Sequence, residues 1–181
     1  MAKVAVVYHS GYGHTQRVAE FVARGANADL VAIDAEGHLS DAQWATLDAA
    51  DAIIMGSPTY MGMASWQFKK FADATSKKWM SAAWRDKLAG GFTCSASMSG
   101  DKLSTLQYFV TLSMQLGMVW VGQQEANEYK VTEGKNRIGS YTGVMAQAGA
   151  QDPAHLIVQG DLDTAEAYGK RVAALATQFK S

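Results

Sequence analysis

Short apolar runs bounded by turn-forming residues alternate with amphipathic segments along the whole chain. The run at 3–8 is rich in β-branched residues, which is typical of a buried strand. The segment 15–26 that follows places Val18, Phe21, Val22 and Gly25 at helical spacing, which predicts an amphipathic helix. The same alternation predicts further strands at 29–33, 51–55, 88–94 and 118–121 and further helices at 66–72, 103–116 and 164–178.

Local signals add boundaries to this pattern. Ser40 and Gln43 stand at the spacing of a capping box and predict a helix that runs through Leu47. The last helix is expected to be introduced by Asp161 or Asp163. Residues 122–149 contain many turn formers and little periodicity, so we expect an ordered excursion after the fifth strand.

The alternation of strands and helices defines the expected fold class. It implies right-handed crossovers and therefore a doubly wound, five-stranded parallel sheet with helices on both faces. No repeat, low-complexity segment or linker interrupts the chain. We therefore expect a single α/β domain over 1–181.

Composition and charge narrow the class of protein. Of the 181 residues, 48% are apolar and 18% are charged, and the formal net charge is −1. This balance gives no electrostatic reason to expect nucleic acid or an anionic membrane surface as a partner. No stretch approaches the roughly 18 apolar residues that span a bilayer, so a cytoplasmic location is expected. The single cysteine, Cys94, cannot form an internal disulfide and is predicted to be a buried apolar side chain.

Three loops are the candidates for chemistry, because ligands of doubly wound sheets bind beyond the carboxyl ends of the strands. The loops after the first, third and fourth strands read HSGYGHT, GSPTYMGM and SASMSGD. All three combine glycine, hydroxyl-bearing and other small residues. The pattern predicts one binding site built from the three loops.

The first loop has the features of an anion site. Gly11 and Gly13 would let backbone amides approach an oxyanion, and Ser10 and Thr15 would add hydroxyl donors at the amino end of a helix. This set suits a phosphate monoester and needs no lysine, although an ordinary tight turn would also use glycine and serine.

Other phosphate-binding motifs fail on spacing. A Walker loop would need lysine where His14 stands, and the dinucleotide fingerprint would need glycine where Gln16 stands. A receiver domain would place acidic residues at the ends of the first and third strands, where this chain has Tyr8, His9, Gly56 and Ser57.

The second and third loops could bind a heteroaromatic ring. The second loop could bind the ring edge through its backbone while Tyr60 or Met61 covers a face, and the third loop could contact the other side. A surface turn with one exposed aromatic is the alternative.

Trp44, Trp66 and Trp84 are predicted to pack in the core or at an interface. His9, His38 and His155 show no ligand spacing with an acid or a cysteine, so no metal site is expected.

Five segments together resemble the flavodoxin-like NAD(P)H-dependent FMN reductases and quinone reductases, especially the tryptophan-repressor-binding-protein type of NAD(P)H:quinone oxidoreductase. They are SGYGHT at 10–15, SPTYMG at 57–62, Trp79 eight residues before KLAGG, LGMVWVG at 116–122, and NRIGSYTGVMAQAG at 136–149. The third loop departs from the family, which often has SSTGTGGG there. Tyr60 also stands where the quinone-reductase type has arginine, and Gln115 and Leu116 stand where it has two histidines.

The resemblance implies FMN as cofactor and a flavodoxin-like fold. It assigns the phosphate end to the first loop, the isoalloxazine ring to the second and further contacts to the third. The implied cofactor-binding residues are Ser10, Gly11, Tyr12, Gly13, His14 and Thr15, then Pro58, Thr59, Tyr60, Met61 and Gly62, and finally Ser95, Ala96, Ser97, Ser99 and Gly100.

The function implied by the resemblance is two-electron transfer. A hydride would pass from NADH or NADPH through FMN to a quinone or similar small acceptor in a ping-pong scheme, so no catalytic side chain and no metal is assigned. Tyr60, Met61, Trp79 and also Met98 are the candidates for stacking the substrate. A homodimer or homotetramer is expected, with apolar contact from 122–149, Trp66 and Trp84. A flavodoxin-type one-electron carrier and a non-catalytic FMN-binding protein are the alternative functions.

Overall fold

The computed structural model describes residues 1–128, 133–149, 153 and 156–180; residues 129–132 of the predicted excursion and His155 lie outside these ranges. The described strands are β1 (Val4–Tyr8), β2 (Asp29–Ala32), β3 (Ala52–Tyr60), β4 (Met63–Ala64), β5 (Leu88–Ser95), β6 (Val119–Trp120) and β7 (Val144–Gln147). The described helices are α1 (His14–Ala26), α2 (Asp41–Ala49), α3 (Trp66–Ala74), α4 (Ser76–Ser81), α5 (Lys102–Gln115) and α6 (Gln159–Lys180).

The main path of the sheet is β2-β1-β3-β5-β6, and every pairing along it is parallel. Strand β1 lies between β2 and β3, so the chain reverses its direction across the sheet at β1. This confirms the predicted doubly wound sheet with five parallel positions. The predicted capping box is confirmed too, since the Ser40 side chain accepts from Gln43 N and Gln43 reaches back to Ser40 N.

The fifth strand position is shared by two segments, where the sequence predicted one strand at 118–121. Strand β6 pairs with the beginning of β5, at Leu88 and Ala89. After the excursion the chain returns as β7 and pairs with the end of β5, from Phe92 to Ser95. The return places the start of α6 and the end of β7 beside the carboxyl end of β5.

Strand β3 is longer than predicted and includes most of the second loop. It pairs with β5 as far as Pro58 opposite Cys94, whereas the sequence predicted a strand at 51–55 only. It then forms a hairpin with β4 through Met61 and Gly62. Both residues have positive φ, 48° and 80°, as a two-residue hairpin turn with the right twist requires.

Two apolar cores cover the two faces of the sheet, as the period-2 alternation along β1 requires. Val4 and Val6 face the core formed with α1 and α6, whereas Ala5 and Val7 face the core formed with α2, α3 and α5. Trp84 is buried in the second core, so it cannot supply the apolar contact area at a subunit interface that the sequence suggested. Trp66, in contrast, is exposed.

Helix α6 begins before its predicted start at 164. Asp161 lies inside the first turn and binds Arg137 rather than introducing the helix from outside. Tyr168, on the same helix, accepts a hydrogen bond from Gly91 N (3.0 Å) and donates one to Val121 O (2.6 Å). These bonds fix α6 to β5 and to the start of the excursion. Across the described helices, none has both the length and the apolar character needed to cross a bilayer.

Candidate functional site

A cleft of about 170 Å³ lies at the carboxyl edge of β1, β3 and β5. It is adjacent to β1, where the chain reverses, which is the expected ligand position for this topology. Residues from all three predicted loops line it, together with one residue that follows β7. The lining residues are Ser10, Tyr12, His14, Thr15, Pro58, Thr59, Tyr60, Cys94, Ser95, Ala96 and Ala148.

The first loop is closed by Ser10. Its Oγ accepts hydrogen bonds from Gly13 N and Gln16 N, both at 3.1 Å. A hydroxyl has two acceptor sites and one donor, so Ser10 keeps its O–H to donate to a ligand. Gly13 has φ 88° and forms the N-cap of α1. The loop thus presents a serine hydroxyl and the positive end of α1 to the same space.

Two tyrosines connect the first loop to the hairpin. The Tyr12 and Tyr60 rings meet edge to face, with centroids 6.2 Å apart. Gly11 allows this contact, because a Cβ at that position would lie 2.7 Å from the Tyr60 hydroxyl. Tyr12 is 74% exposed and Tyr60 39%, so the pair forms an accessible aromatic rim. Burial raises the pKa of Tyr60, which is therefore a neutral phenol at pH 7.

The Thr59 side chain faces the protein interior. Its Oγ1 lies 2.8 Å from Thr93 Oγ1 and 2.8 Å from Thr105 Oγ1, and all three residues are buried. The three hydroxyls join β3, β5 and α5 at the base of the hairpin. Met61 at the hairpin tip is fully exposed.

A buried polar network supports the first two loops from below, and the sequence reading missed it. His9 Nδ1 lies 2.8 Å from Ser65 Oγ, and Ser65 N donates to Ser57 Oγ at 2.9 Å. Burial lowers the pKa of His9, so its ring is neutral at pH 7. The network fixes the residue before the anion loop to the residue before Pro58.

The third loop is held by its carbonyl oxygens. Lys102 is wholly buried, and its Nζ donates to Ser97 O (2.5 Å), Met98 O (3.0 Å) and Ser99 O (3.5 Å). Burial lowers the pKa of Lys102 to about 8, so the amine remains mainly protonated at pH 7. This role of Lys102 was not predicted, because lysine is almost never fully buried.

A buried ion pair lies next to this lysine. Arg137 donates to both carboxylate oxygens of Asp161 at 2.9 Å, and both side chains are almost completely buried. Gln147 connects the pair to the third loop: its Oε1 accepts from Arg137 at 3.2 Å and its Nε2 donates to Ala96 O at 3.0 Å. Desolvation raises the pKa of Asp161, and the Arg137 hydrogen bonds oppose this.

The structure brings most of the sequence-predicted site residues to one cleft. From the third loop, Ser95 and Ala96 line it, whereas Ser97, Met98 and Ser99 are exposed beyond it. Trp79 lies elsewhere: it is exposed on α4, next to Lys78, whose ammonium binds Asp48 near the end of α2. This is the opposite edge of the sheet, so Trp79 does not reach the cleft of its own chain.

The residues that line the cleft would bind an anion without the help of lysine or arginine. Among the described residues that line the cleft, none is Asp, Glu, Lys or Arg, so an anion there would be held by amides, hydroxyls and the dipole of α1. Burial raises the pKa of the Cys94 thiol to about 12, so Cys94 is not a nucleophile at pH 7. The donors present fit the phosphate monoester of FMN, and the tyrosine rim fits its aromatic ring.

Comparison with known proteins gives relatives over the full chain length. Residues 3–132 match the family model described as NADPH-dependent FMN reductase. "Flavodoxin FldP" from Pseudomonas aeruginosa is 48% identical over 99% of this chain and 99% of its own. An NAD(P)H dehydrogenase (quinone) from Geotalea uraniireducens is 32% identical over 98% of both chains.

A solved structure agrees with the sequence relatives. The flavodoxin, WrbA-like protein from Agrobacterium tumefaciens is 55% identical, with a TM-score of 0.82 over 98% of this chain and 99% of its own. The family model and these relatives cover the β1, β3 and β5 loops that form the cleft. The chain therefore belongs to the flavodoxin-like oxidoreductase family described as NADPH-dependent FMN reductase.

Proposed function

We propose that this chain binds FMN in the three-loop cleft and transfers electron pairs from NADH or NADPH to a quinone or similar small acceptor. The observation that carries the proposal is the glycine- and hydroxyl-rich anion loop, which lies at the chain reversal and is joined to an exposed aromatic rim. The family match and the quinone dehydrogenase relative support the reaction class.

In this proposal each loop has a separate task. Ser10, Gly13 and the first turn of α1 hold the phosphate through hydrogen bonds and the helix dipole. Tyr60 and Met61 cover one face of the ring from the hairpin, and the third loop approaches it from the β5 side. When bound, FMN supplies hydride chemistry that no side chain of the cleft can supply. The residues of the cleft would orient the ring of FMN toward that of the donor.

A one-electron carrier is the second candidate. The 48% identical relative is named a flavodoxin, and so is the 55% identical structure. Such a carrier would bind FMN in the same cleft but would exchange single electrons with protein partners. A non-catalytic FMN-binding protein would bind the cofactor without oxidising a nicotinamide donor.

Two measurements test the proposal. Quenching of FMN fluorescence on addition of the apoprotein is expected at a stoichiometry of one FMN per chain. The reconstituted protein is then expected to oxidise NADH or NADPH at a rate that depends on added benzoquinone. FMN binding without donor oxidation would favour the carrier or the non-catalytic protein, and no binding would refute all three readings.

We also propose that the chain forms a homodimer or homotetramer. Met61 in the hairpin turn, Met63 on β4 and Trp66 at the start of α3 are all exposed, and a second copy would cover them. Sedimentation equilibrium is expected to give a multiple of 19.4 kDa. A single species at the mass of one chain would contradict this.

A further inference from the structure

Lys102 follows the third loop directly and is the first residue of α5. Its ammonium is wholly buried, and the acceptors that it contacts are three backbone carbonyl oxygens rather than a carboxylate. A buried charge is costly unless its hydrogen bonds are satisfied. The three carbonyls satisfy them, so the conformation of the loop and the burial of the lysine depend on each other.

The lysine completes a continuous row of held carbonyl groups. Ser95 O accepts from Ala148 N (3.2 Å), and Ala96 O accepts from the Gln147 side chain. With the three bonds of Lys102, every carbonyl oxygen from Ser95 to Ser99 has a donor. In a trans peptide the N–H points opposite to the C=O, so the following N–H groups, those of 96–100, point away from these donors.

Those N–H groups are available to a ligand. In the part of the chain that the structure describes, no carbonyl or side chain accepts from the N–H of Ala96, Ser97, Met98, Ser99 or Gly100. Residues 96–99 are exposed, and Ala96 lines the cleft. The N–H of Ala96 is thus an available donor at the cleft, and those of 97–100 continue the row beyond it.

Lys102 also leaves a positive charge behind the loop. Arg137 and Asp161 form a buried pair whose charges cancel, and both interact electrostatically with Lys102. The net charge of the three groups is +1 while Lys102 is protonated. Because the lysine is buried, this charge is screened less than a surface charge would be.

We propose that Lys102 is a positioning residue for FMN, an inference that rests on the proposed function. It holds the third loop so that the N–H groups, beginning with that of Ala96 at the cleft, are available to the ring, without touching the cofactor itself. Its charge favours negative charge on the ring, so reduced FMN is bound more tightly relative to oxidised FMN than it would be without the lysine.

Three variants separate these effects. Lys102→Met keeps the apolar stem but removes the charge and the three hydrogen bonds, and Lys102→Arg keeps the charge. The control is Lys87→Met. Lys87 is a half-buried lysine that also donates to two carbonyl oxygens, those of Asp48 and Ala50. It lies just before the first residue of β5, away from the cleft. FMN affinity and the two-electron midpoint potential of the bound FMN are measured for each.

For Lys102→Met we expect the FMN dissociation constant to rise at least tenfold. The midpoint potential of the FMN bound to Lys102→Met is expected to fall by about 30 mV. This is the two-electron equivalent of a tenfold change in the affinity for reduced FMN relative to oxidised FMN. Lys102→Arg should bind FMN more weakly and keep the wild-type potential. Lys87→Met should match the wild type in both measurements. Wild-type affinity and potential in Lys102→Met, or an equal effect of Lys87→Met, would overturn the proposal.

A measurement without FMN keeps this inference separate from the proposed function. Hydrogen exchange of a peptide covering 95–101 in the apoprotein is expected to be faster in Lys102→Met than in the wild type, with no change in peptides from β1. Equal exchange would overturn the positioning role. If the wild type fails to bind FMN, the proposed function fails, and the exchange result still decides whether Lys102 holds the loop.

Discussion

Thr59→Val distinguishes a structural hydroxyl from a ligand-binding one. The substitution keeps the shape of the side chain but removes the oxygen that lies 2.8 Å from both Thr93 Oγ1 and Thr105 Oγ1. A buried hydrogen bond contributes about 0.5–1.5 kcal/mol net, so the loss of two predicts a fall of roughly 1–3 kcal/mol in the free energy of unfolding. For a chain of this length each kcal/mol corresponds to about 2–4 °C in Tm.

Urea unfolding of the apoprotein, followed by tryptophan fluorescence, measures this change through the midpoint at constant slope. Thr105→Val removes one of the two bonds and should lose about half as much. Thr46→Val is the matched control, because Thr46 Oγ1 donates to Ala42 O within α2, in an exposed hydrogen bond away from the cleft. It should stay within about 0.5 kcal/mol of the wild type.

The FMN affinity of Thr59→Val is the measurement that can contradict the structural role of this hydroxyl. Because the Thr59 hydroxyl faces Thr93 and Thr105, we expect Thr59→Val to keep the FMN dissociation constant within about threefold, less than 1 kcal/mol. Unchanged stability together with a tenfold weaker affinity would show that the hydroxyl binds the ring instead. That result would contradict a structural role for the three buried threonines.

Three further predictions concern buried groups near the site. Tyr168→Phe should lower the free energy of unfolding by roughly 2–4 kcal/mol, since Gly91 N and Val121 O both lose their partner; a urea midpoint equal to that of the wild type would contradict this. The pKa of His9 is lower in the folded state than the ordinary value of about 6.5, so the unfolded state binds more protons as the pH falls through 6.5, and stability should decrease there. His9→Gln should flatten this dependence, and an unchanged pH profile would exclude His9 as its source. Cys94, with its raised pKa and buried thiol, should react with a thiol reagent only after denaturant is added; fast labelling of the native protein would refute the burial argument.

The periodic pattern predicted the sheet and its helices because buried parallel strands read as continuous apolar runs. It predicted β3 only as far as 55, although Pro58 still pairs opposite Cys94, a position that proline rarely takes because it cannot donate to a ladder. It also missed β7, whose four residues lie in a turn-rich segment and acquire a strand conformation only by pairing with the end of β5.

The position of the first loop at the cleft was predictable, because glycine and hydroxyl residues between a strand and a helix are recognised by local rules alone; anion binding there stays a prediction. The support for the third loop was not predictable in this way. Lys102, Arg137 and Asp161 are far apart in the sequence, and only the folded chain shows that they share one buried region. For Trp79 the error is the reverse: the family motif predicted it at the site, but in the folded chain it lies away from the cleft of its own chain.

The central claim is that the three-loop cleft holds FMN and exchanges electron pairs with a nicotinamide donor. Anaerobic titration of the FMN-reconstituted protein with NADH, and separately with NADPH, tests it most directly. We predict complete bleaching at one equivalent of the preferred donor, with no one-electron-reduced form accumulating, and full reoxidation by one equivalent of benzoquinone. Bound FMN that is not bleached by either donor, or that is reduced in two separate one-electron steps by a chemical reductant, would contradict the account.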